Sequence, residues 1–206
     1  MMIRIGNMIP KTRAEGPGTR FAIWVQGCDQ NCPGCFAQHL RSHDGGTLMP
    51  VSEVIEAIKA VRSDISGVTF LGGEPFLQAR ALLQIADAAH AMDLSVLCFS
   101  GYTLADLVLG GDPDHLALLL AIDLLIDGPY LEEQRSFTRP LVGSDNQQFR
   151  YLTQRITPAQ IAEYHNRIEC RIGRDGVLCL NGMGDFPAVM REFGCTSSKK
   201  EAIPYA

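Results

Sequence analysis

Apolar runs typical of β-strands alternate with turns and amphipathic helical patterns along most of this chain, and this order restricts the possible folds most. The pattern predicts a first strand at Phe21–Gly27, a helix capped by Ser52, a strand at Val68–Leu71, a helix over 78–91 and a strand at Leu94–Phe99. Strands that alternate with helices in this way pair in parallel through crossover helices. The sequence therefore predicts an α/β fold with a parallel sheet.

The second half of the chain extends this order and ends differently. Its predicted elements are a helix capped by Thr103, a break at Gly110–Pro113, a strand at Leu124–Ile126, a long loop over Leu131–Gln148 and a helix that begins at Thr157 and Pro158. Residues 168–172 and 177–180 are predicted to form a hairpin around the turn 173–176. A length of 206 residues suits a single domain.

Four segments with ligand-binding or reactive residues each begin where a predicted parallel strand ends. They are the cysteine loop after Gly27, the Gly72–Pro75 segment, the Ser100–Tyr102 segment and the Asp127–Pro129 segment. In parallel sheets the ligand site lies beyond the carboxyl ends of the strands. We therefore expect these four segments to form one site.

The cysteine loop carries Cys28, Cys32 and Cys35 in the pattern Cys-x-x-x-Cys-x-x-Cys. An iron–sulfur cubane normally takes four cysteine ligands, so three thiolates would leave one iron open to another ligand. The alternative is a structural zinc site of the Cys3His type, with His39 or His43 as its fourth ligand. These cysteines alone do not decide between the two.

The other cysteines fit a reducing compartment better than a disulfide framework. The chain has 7 cysteines, an odd number. Cys98 lies in a predicted strand and is expected in the core, whereas Cys170, Cys179 and Cys195 are far apart in sequence and are treated as structural. The N-terminus lacks the pattern of a secretory signal, so a cytoplasmic location is expected.

Composition argues against two classes of partner. The net charge is −5 and the isoelectric point is about 5.5, which disfavours binding to nucleic acids or to a membrane surface. The most apolar stretch, Leu116–Ile126, is interrupted by Asp123 and is shorter than the about 18 residues typical of a membrane span.

The residues at the strand ends suggest what they would bind. Gly72 and Gly73 allow a sharp turn and a close approach of the backbone to a ligand, and Pro75 fixes the turn that follows. The carboxylate of Glu74 suits an ammonium group. Ser100 and Asp127 offer a hydroxyl and a second carboxylate as hydrogen-bonding groups. Each of these residues also has a purely structural explanation, because such turns end strands in many proteins.

Together these motifs resemble the radical S-adenosylmethionine superfamily. The resemblance rests on Gly16–Arg20, Gly27–Cys35, Gly72–Pro75 and Ser100–Tyr102. Within this superfamily, these motifs are most similar to those of the activating enzymes of glycyl radical enzymes. The Cys-Pro-Gly-Cys sequence at Cys32–Cys35, Leu125–Tyr130 and Gly143–Gln147 resemble most the branch that serves anaerobic ribonucleotide reductase. The resemblance covers about 16–154, and residues 158–206 form an extension beyond it. It implies a partial (β/α) barrel of parallel strands with crossover helices, followed by a small C-terminal α+β extension.

The resemblance also implies a cofactor set and a reaction. Cys28, Cys32 and Cys35 would hold a 4Fe-4S cluster whose fourth iron binds the amino and carboxylate groups of S-adenosylmethionine. Further cofactor contacts are implied for Phe36, Gly72, Gly73, Glu74, Pro75, Ser100 and Asp127. Reductive cleavage of S-adenosylmethionine would give a 5′-deoxyadenosyl radical, which in this family abstracts hydrogen from a backbone glycine of a partner enzyme. The partners expected are a glycyl radical enzyme and a flavodoxin- or ferredoxin-like electron donor.

Two departures from the family pattern limit the transfer of residue roles. Phe36 is followed by Ala37, where activating enzymes commonly have asparagine, and Asp127 is followed by Gly128 and Pro129 instead of a segment that ends in lysine. Hydrogen abstraction by a carbon radical needs no acid–base pair, so no catalytic side chain is assigned. The alternatives are a radical enzyme that acts alone on a small molecule or peptide, and a zinc-binding interaction module.

Overall fold

The computed structural model describes residues 1–174 and 178–194 of the chain. Its centre is a mixed sheet of seven strands in the order β3-β1-β2-β4-β5-β6-β7. The strands are β1 (Met2–Thr12), β2 (Arg20–Val25), β3 (Thr47–Pro50), β4 (Gly67–Gly72), β5 (Ser95–Ser100), β6 (Leu124–Asp127) and β7 (Gln148–Tyr151). The four strands β2, β4, β5 and β6 are parallel, as the sequence predicts, and the outer strands pair antiparallel. The protein is therefore an α/β protein with a mostly parallel central sheet.

Six α-helices lie in the described part of the chain. They are α1 (Val51–Ala60), α2 (Ala79–Ala91), α3 (Leu104–Leu109), α4 (Pro113–Leu120), α5 (Pro158–Ala162) and α6 (Phe186–Glu192). The caps of α3 and α5 are confirmed, because Thr103 and Thr157 each accept a hydrogen bond from the backbone of the third helical residue. The N-cap at Ser52 is wrong: α1 begins at Val51, with Pro50 at the cap position.

The prediction that the first strand begins at Phe21 is also wrong. An earlier strand, β1, pairs with both β2 and β3 and buries Ile3, Ile5 and Ile9. Its pairing with β2 shifts register between Ile5 and Asn7, and again between Ile9 and Thr12. Such bulges break the strict alternation of buried and exposed residues that identifies a strand in a sequence.

The two faces of the sheet are covered by different parts of the chain. On one face, Phe21, Ile23 and Phe70 pack in one cluster with Leu82 and Ile85 of α2. Because side chains alternate along a strand, Ala22 and Trp24 point to the opposite face. There a second cluster joins residues of β5 and β6 to the chain after 140: Leu97, Leu124, Ile126, Leu141, Val142, Ile156, Ile161 and Tyr164.

The C-terminal hairpin is confirmed, and it is hydrogen-bonded to the strand β1. It consists of β8 (Ile168–Ile172) and β9 (Leu178–Gly182). The predicted turn residues Asp175 and Gly176, together with Val177, lie outside the described residues, as does Cys195. Cys170 is an exposed residue of β8, and Cys179 is a half-buried residue of β9.

Polar side chains attach this hairpin to the segment that follows β1. The carboxylate of Glu169 accepts hydrogen bonds from the Thr12 hydroxyl at 2.7 Å and from the Arg13 backbone N–H at 2.8 Å. The Asn181 amide donates to the Thr12 hydroxyl at 3.0 Å and to the Glu15 carboxylate at 2.9 Å. Because Thr12, Glu15 and Asn181 are all buried, the two bonds that the Asn181 amide donates form where water does not compete.

Glu15 should make the stability of the protein depend on pH. Burial raises the pKa of Glu15 from 4.5 to about 7. The folded protein therefore keeps a proton that the unfolded chain has already released, and stability falls as the pH rises through this window. Between about pH 5 and about pH 8, the titration of Glu15 should lower the free energy of unfolding by about 2 kcal/mol.

Glu15→Gln should remove that part of the pH dependence, because its amide has no proton to release in this range. The measurement is urea-induced unfolding of both proteins at the two ends of the window. Glu163→Gln, at an exposed position, is the matched control and should follow the wild-type protein. An unchanged pH dependence in Glu15→Gln would show that the buried carboxyl is not its source.

None of the helices in the described part of the chain combines the length and the apolar character that crossing a membrane requires.

Candidate functional site

The ends of the four parallel strands lie side by side, as the sequence predicts. Val25 at the end of β2 pairs with Gly72 at the end of β4, and Ser100 at the end of β5 pairs with Asp127 at the end of β6. The segments that follow these strands therefore emerge at the same edge of the sheet. The Gly16–Arg20 segment leads into the start of β2 and lies at the opposite ends of these strands.

Arg20 shows why that segment supports the fold rather than the site. Its side chain is 1% exposed, and its guanidinium donates to the Thr69 hydroxyl at 2.6 Å and to the Ser95 carbonyl at 3.1 Å. Burial lowers the pKa of Arg20 to about 9. The guanidinium thus links the beginnings of three neighbouring strands.

The cysteine loop follows β2 and is held by backbone hydrogen bonds. The N–H of Gly27 donates to the Leu40 carbonyl at 2.8 Å, and the N–H of Cys28 donates to the Arg41 carbonyl at 3.0 Å. Gly34 has a φ of 68°, in the region that favours glycine, which allows the tight turn between Cys32 and Cys35. The loop therefore returns on itself and keeps its three cysteines near the strand ends.

All three cysteines line one cavity at this edge, together with most of the predicted cofactor-binding residues. The other residues that line it are Gln30, Gly72, Gly73, Glu74, Phe99, Ser100, Gly101, Gly128, Tyr130 and Gln147. The structure thus brings together Cys28, Cys32, Cys35, Gly72, Gly73, Glu74 and Ser100. Phe36, Pro75 and Asp127 are not among the lining residues of this cavity.

The thiols fit a metal cluster in their chemistry. Burial raises the pKa of Cys28 and of Cys35. Both thiols therefore keep their protons at neutral pH unless a nearby positive charge stabilises the thiolates. A bound metal supplies that charge and deprotonates its cysteine ligands.

Over residues 1–174 and 178–194, no three His, Cys, Asp or Glu side chains converge closely enough to hold one metal ion. A zinc–sulfur bond of about 2.3 Å would place two thiolates of one zinc ion about 3.8 Å apart. A four-iron cluster, in which each thiolate binds a different iron, does not need its ligands so close together.

Glu74 connects the ends of two strands. Its carboxylate accepts hydrogen bonds from the Ser100 hydroxyl at 2.9 Å, from the Gly101 N–H at 2.8 Å and from the Phe76 N–H at 3.0 Å. It is 1% exposed, and burial raises its pKa to about 7. The carboxylate is therefore fixed in position and borders the cavity with little contact to water.

Gly72 and Gly73 bring the end of β4 into direct contact with the start of the cysteine loop. The N–H of Gly73 donates to the Val25 carbonyl, and the N–H of Glu74 donates to the Gly27 carbonyl, both at 2.8 Å. A Cβ atom at Gly73 would lie 2.2 Å from the Gly27 carbonyl oxygen. Only a residue without a side chain fits there.

The structure places Asp127 differently from the other strand-end residues. Its carboxylate accepts hydrogen bonds from the Leu104 N–H at 2.7 Å and from the Arg150 guanidinium at 2.8 Å. It is 1% exposed. Asp127 thus links β6 to the start of α3 and to β7, and both carboxylate oxygens already have partners within the protein.

Phe36 packs in a group of aromatic rings beside the cavity. Its ring lies 5.5 Å from that of Tyr130, 6.0 Å from that of Phe137 and 6.3 Å from that of Phe186, measured between centroids. The Arg135 guanidinium lies 5.2 Å from the centroid of the Phe36 ring. Phe36 therefore connects the cysteine loop to the long loop after β6 and to the C-terminal extension.

Several cavity residues were not predicted as site residues. Tyr130 and Gln147 belong to the two segments that carry the family resemblance, but nothing in their local pattern indicates a ligand. The Gln147 side chain accepts from the Gly143 N–H at 2.8 Å and donates to the Gly128 carbonyl at 3.3 Å. These contacts hold the long loop against the end of β6.

Comparison with known proteins identifies similar chains. The family described as "4Fe-4S single cluster domain" matches residues 14–150. The anaerobic ribonucleoside-triphosphate reductase-activating protein of Vibrio cholerae is 34% identical over 140 residues, which cover 65% of this chain and 88% of the relative. The proteins of the same name from Haemophilus influenzae and from Enterobacteria phage T4 are 32% and 31% identical, and the matches cover 67% and 65% of this chain and 91% and 84% of the relatives.

Among solved structures, QueE from Escherichia coli matches with a TM-score of 0.42 and 19% identity, over 50% of this chain and 54% of QueE. This similarity is too low to support an argument.

Proposed function

Because this chain belongs to the family of anaerobic ribonucleoside-triphosphate reductase-activating proteins, we propose that it is a radical S-adenosylmethionine enzyme that activates a glycyl radical enzyme. It cleaves S-adenosylmethionine reductively to a 5′-deoxyadenosyl radical and generates a glycyl radical on a partner such as anaerobic ribonucleotide reductase. The observation that carries this proposal is the single cavity lined by Cys28, Cys32, Cys35 and the Gly72–Glu74 strand end.

The 4Fe-4S cluster is proposed to bind Cys28, Cys32 and Cys35, with the fourth iron open to S-adenosylmethionine. When bound, the cluster supplies the single electron for reductive cleavage of that cofactor. The shared cavity of the three thiols supports this assignment, as does the need of the Cys28 and Cys35 thiols for a nearby positive charge.

The strand-end residues are proposed to hold the methionine part of the cofactor. Gly72 and Gly73 let the backbone approach it, and the fixed carboxylate of Glu74 faces its ammonium group. Ser100 fixes that carboxylate through a hydrogen bond of 2.9 Å and borders the same cavity. An ion pair between the Glu74 carboxylate and this ammonium group would be shielded from water, and it would therefore be stronger than the same pair in solution.

The other predicted contacts are proposed to act from the edge of the site. Pro75 is buried and begins the short 3-10 helix Pro75–Gln78, so it fixes the direction of the chain after Glu74. The Phe36 ring, which packs with other aromatic rings beside the cavity, would contact the adenine. Asp127 would position the end of β6, because Leu104 and Arg150 already occupy its oxygens.

We also propose that the sheet forms the partial barrel of this superfamily within a single domain over 1–206. The core region would be about 16–154, followed by the extension at 158–206. The chain would work in the cytoplasm, where thiols stay reduced. A flavodoxin- or ferredoxin-like protein would supply the electron.

The test combines the reduced, anaerobically reconstituted protein with an anaerobic ribonucleotide reductase. Paramagnetic resonance should detect a glycyl radical on the reductase that depends on S-adenosylmethionine. Formation of 5′-deoxyadenosine without any glycyl radical would contradict the proposed partner. It would favour the alternative of an enzyme that modifies a small molecule or peptide, which shares every cofactor residue.

Glu74→Gln should weaken the binding of S-adenosylmethionine at least about tenfold and leave the cluster in place, since a lost charge interaction of about 1.4 kcal/mol has this effect. The glutamine amide also cannot accept from the Ser100, Gly101 and Phe76 donors at once, which costs about 1–3 kcal/mol of stability. Equilibrium binding of the cofactor is the measurement, with iron and sulfide content as the control for the cluster. An unchanged affinity would remove Glu74 from the cofactor site.

A further inference from the structure

A separate cavity lies at the opposite ends of the parallel strands from the cysteines. Its volume is about 350 Å³. Arg20, Ser66 and Ser95, at the beginnings of β2, β4 and β5, line it together with Arg155 and Gln160 from the chain after β7. It shares no lining residue with the cysteine cavity. The function proposed above therefore gives it no role.

Arg20 brings a buried positive charge to this cavity. All the hydrogen bonds of its guanidinium go to uncharged oxygen atoms, which are the hydroxyls of Thr69 and Ser95 and the carbonyls of Pro17, Val68 and Ser95. Within the described residues, no carboxylate forms an ion pair with it. Because a buried charge is normally paired with an opposite one, this guanidinium lacks a direct counter-ion.

Asp123 compensates this charge only in part. Its carboxylate acts on Arg20 through space. The carboxylate oxygens are in contact with the His90 ring, the Val96 N–H and the Thr153 hydroxyl, so they already have partners within the protein. The position of a direct counter-ion to Arg20 is therefore left to the cavity.

The Nη1 edge of the Arg20 guanidinium faces the cavity. Nη1 donates to the Ser95 hydroxyl at 3.1 Å and to the Pro17 carbonyl at 3.4 Å, and both of these residues line the cavity. These bonds are longer than the 2.6 Å bond from Nε to the Thr69 hydroxyl. Since long bonds to neutral oxygen are weaker than bonds between two charged groups, an anionic oxygen can replace them at this edge.

Arg155 adds a second positive charge to the lining. Its Nη1 is paired with the Asp93 carboxylate at 2.8 Å, while among the described residues its Nε and Nη2 donate no hydrogen bond. The Asp93 side chain is 82% exposed, so water screens its repulsion of an anion. Two guanidinium groups and one carboxylate give the lining a net charge of +1, beside the hydroxyls of Ser66 and Ser95.

We infer that this cavity binds a phosphate group, held between Arg20 and Arg155. Guanidinium groups donate two parallel hydrogen bonds to phosphate oxygens, and hydroxyl groups supply further donors. The volume of about 350 Å³ falls within the range of small-molecule sites. The cavity therefore has room for free phosphate and for a small phosphate monoester. This inference does not depend on the proposed function.

The experiment measures the binding of inorganic phosphate to the full-length, anaerobically reconstituted protein by calorimetry at constant ionic strength. Arg20 itself is kept, because its hydrogen bonds connect three strands. Arg155→Gln removes the second positive charge from a half-exposed position. Asp93→Asn removes the opposing negative charge, and asparagine tolerates the φ of 57° at this residue. Arg80→Gln, at an exposed position outside the cavity, is the matched control.

We expect the wild-type protein and Arg80→Gln to bind phosphate with the same affinity. Arg155→Gln should bind it at least about tenfold more weakly, and Asp93→Asn at least about threefold more tightly, because the first loses an attraction and the second a repulsion. Glycerol phosphate is the second probe. Its tighter binding would identify the ligand as a phosphate monoester, and tighter binding of inorganic phosphate would identify it as the free ion; both orders support the site.

The contribution of Arg20 is measured without replacing it. Its Nε–H is buried and bonded to Thr69, so it exchanges slowly with water and gives a resonance in proton–nitrogen NMR spectra. This resonance should shift as phosphate saturates the wild-type protein, and it should shift less at the same phosphate concentration in Arg155→Gln.

Four results would overturn the inference. The first is the absence of saturable binding of either phosphate compound to the wild-type protein. The second is equal affinity in Arg155→Gln and Arg80→Gln, which would place any bound phosphate elsewhere. The third is unchanged or weaker binding by Asp93→Asn. The fourth is an Arg20 resonance that stays in place while phosphate binds.

Discussion

Cys32→Ala is expected to abolish assembly of the 4Fe-4S cluster and, with it, all cleavage of S-adenosylmethionine. The cysteine loop offers three thiols to one cavity, and a cluster with an open iron uses all three. Two thiols leave a second iron without a protein ligand, so the cluster should not survive purification. Iron and sulfide content, visible absorbance and 5′-deoxyadenosine formation measure the effect.

The effect should come from the lost ligand and not from unfolding. Cys32 is only half-buried, and its thiol makes one weak contact, 3.8 Å from the Gln30 carbonyl. Its removal should change the unfolding free energy of the metal-free chain by less than about 0.5 kcal/mol. Cys170→Ala, at an exposed position of β8, is the matched control and should keep both cluster and activity.

Two outcomes would contradict the cluster assignment. One is continued 5′-deoxyadenosine formation by Cys32→Ala. The other is one tetrahedral zinc ion per chain in protein purified without oxygen, with no colour after addition of ferrous iron and sulfide. The second outcome would restore the zinc site with His39 or His43 as the explanation of the cysteines.

The central part of the fold could be predicted because its signals are local. Strands β4, β5 and β6 are short apolar runs that end at glycine, serine or aspartate, and the helices α3 and α5 carry their capping residues beside them. The outer strands lack such signals. β1 contains Gly6 and Pro10 and changes register twice, and β3 is four residues long with its Leu48 side chain exposed. Those strands depend on pairing with distant residues, which a sequence does not display.

The same distinction applies to the candidate site. Cys28, Cys32, Cys35 and the Gly72–Glu74 segment are short motifs, and their convergence follows from parallel pairing alone. The partners of a single side chain do not follow from it. The Asp127 carboxylate binds Arg150, 23 residues away on β7, and this contact holds it away from the cavity lining. Leu180 and Phe186 lie beside Trp24 and Phe36 around a cavity on one face of the sheet, and the buried hydrogen bond from Asn181 to Glu15 attaches their segment there.

Gly73→Ala should separate the cysteine loop from the end of β4, with the second-largest effect on function. The new Cβ atom would lie 2.2 Å from the Gly27 carbonyl oxygen and 3.0 Å from the Gly27 nitrogen. Both atoms belong to the backbone, so no rotation of a side chain can relieve the clash. The hydrogen bonds from Gly73 to Val25 and from Glu74 to Gly27 must lengthen or break.

Because these two bonds align the cysteines with Glu74, their loss should lower the affinity for S-adenosylmethionine at least about tenfold and reduce the cluster content. The clash should also cost about 1–3 kcal/mol of unfolding free energy, as for other overpacked sites. Gly143→Ala is the matched control, since neither glycine has a left-handed φ and a Cβ atom at Gly143 would lie 3.4 Å from the Tyr130 ring. Iron content, cofactor affinity and urea unfolding of the two variants separate the effect of the clash from that of an added methyl group. If Gly73→Ala kept wild-type affinity and cluster content, the close contact between β4 and the cysteine loop would not organise the site.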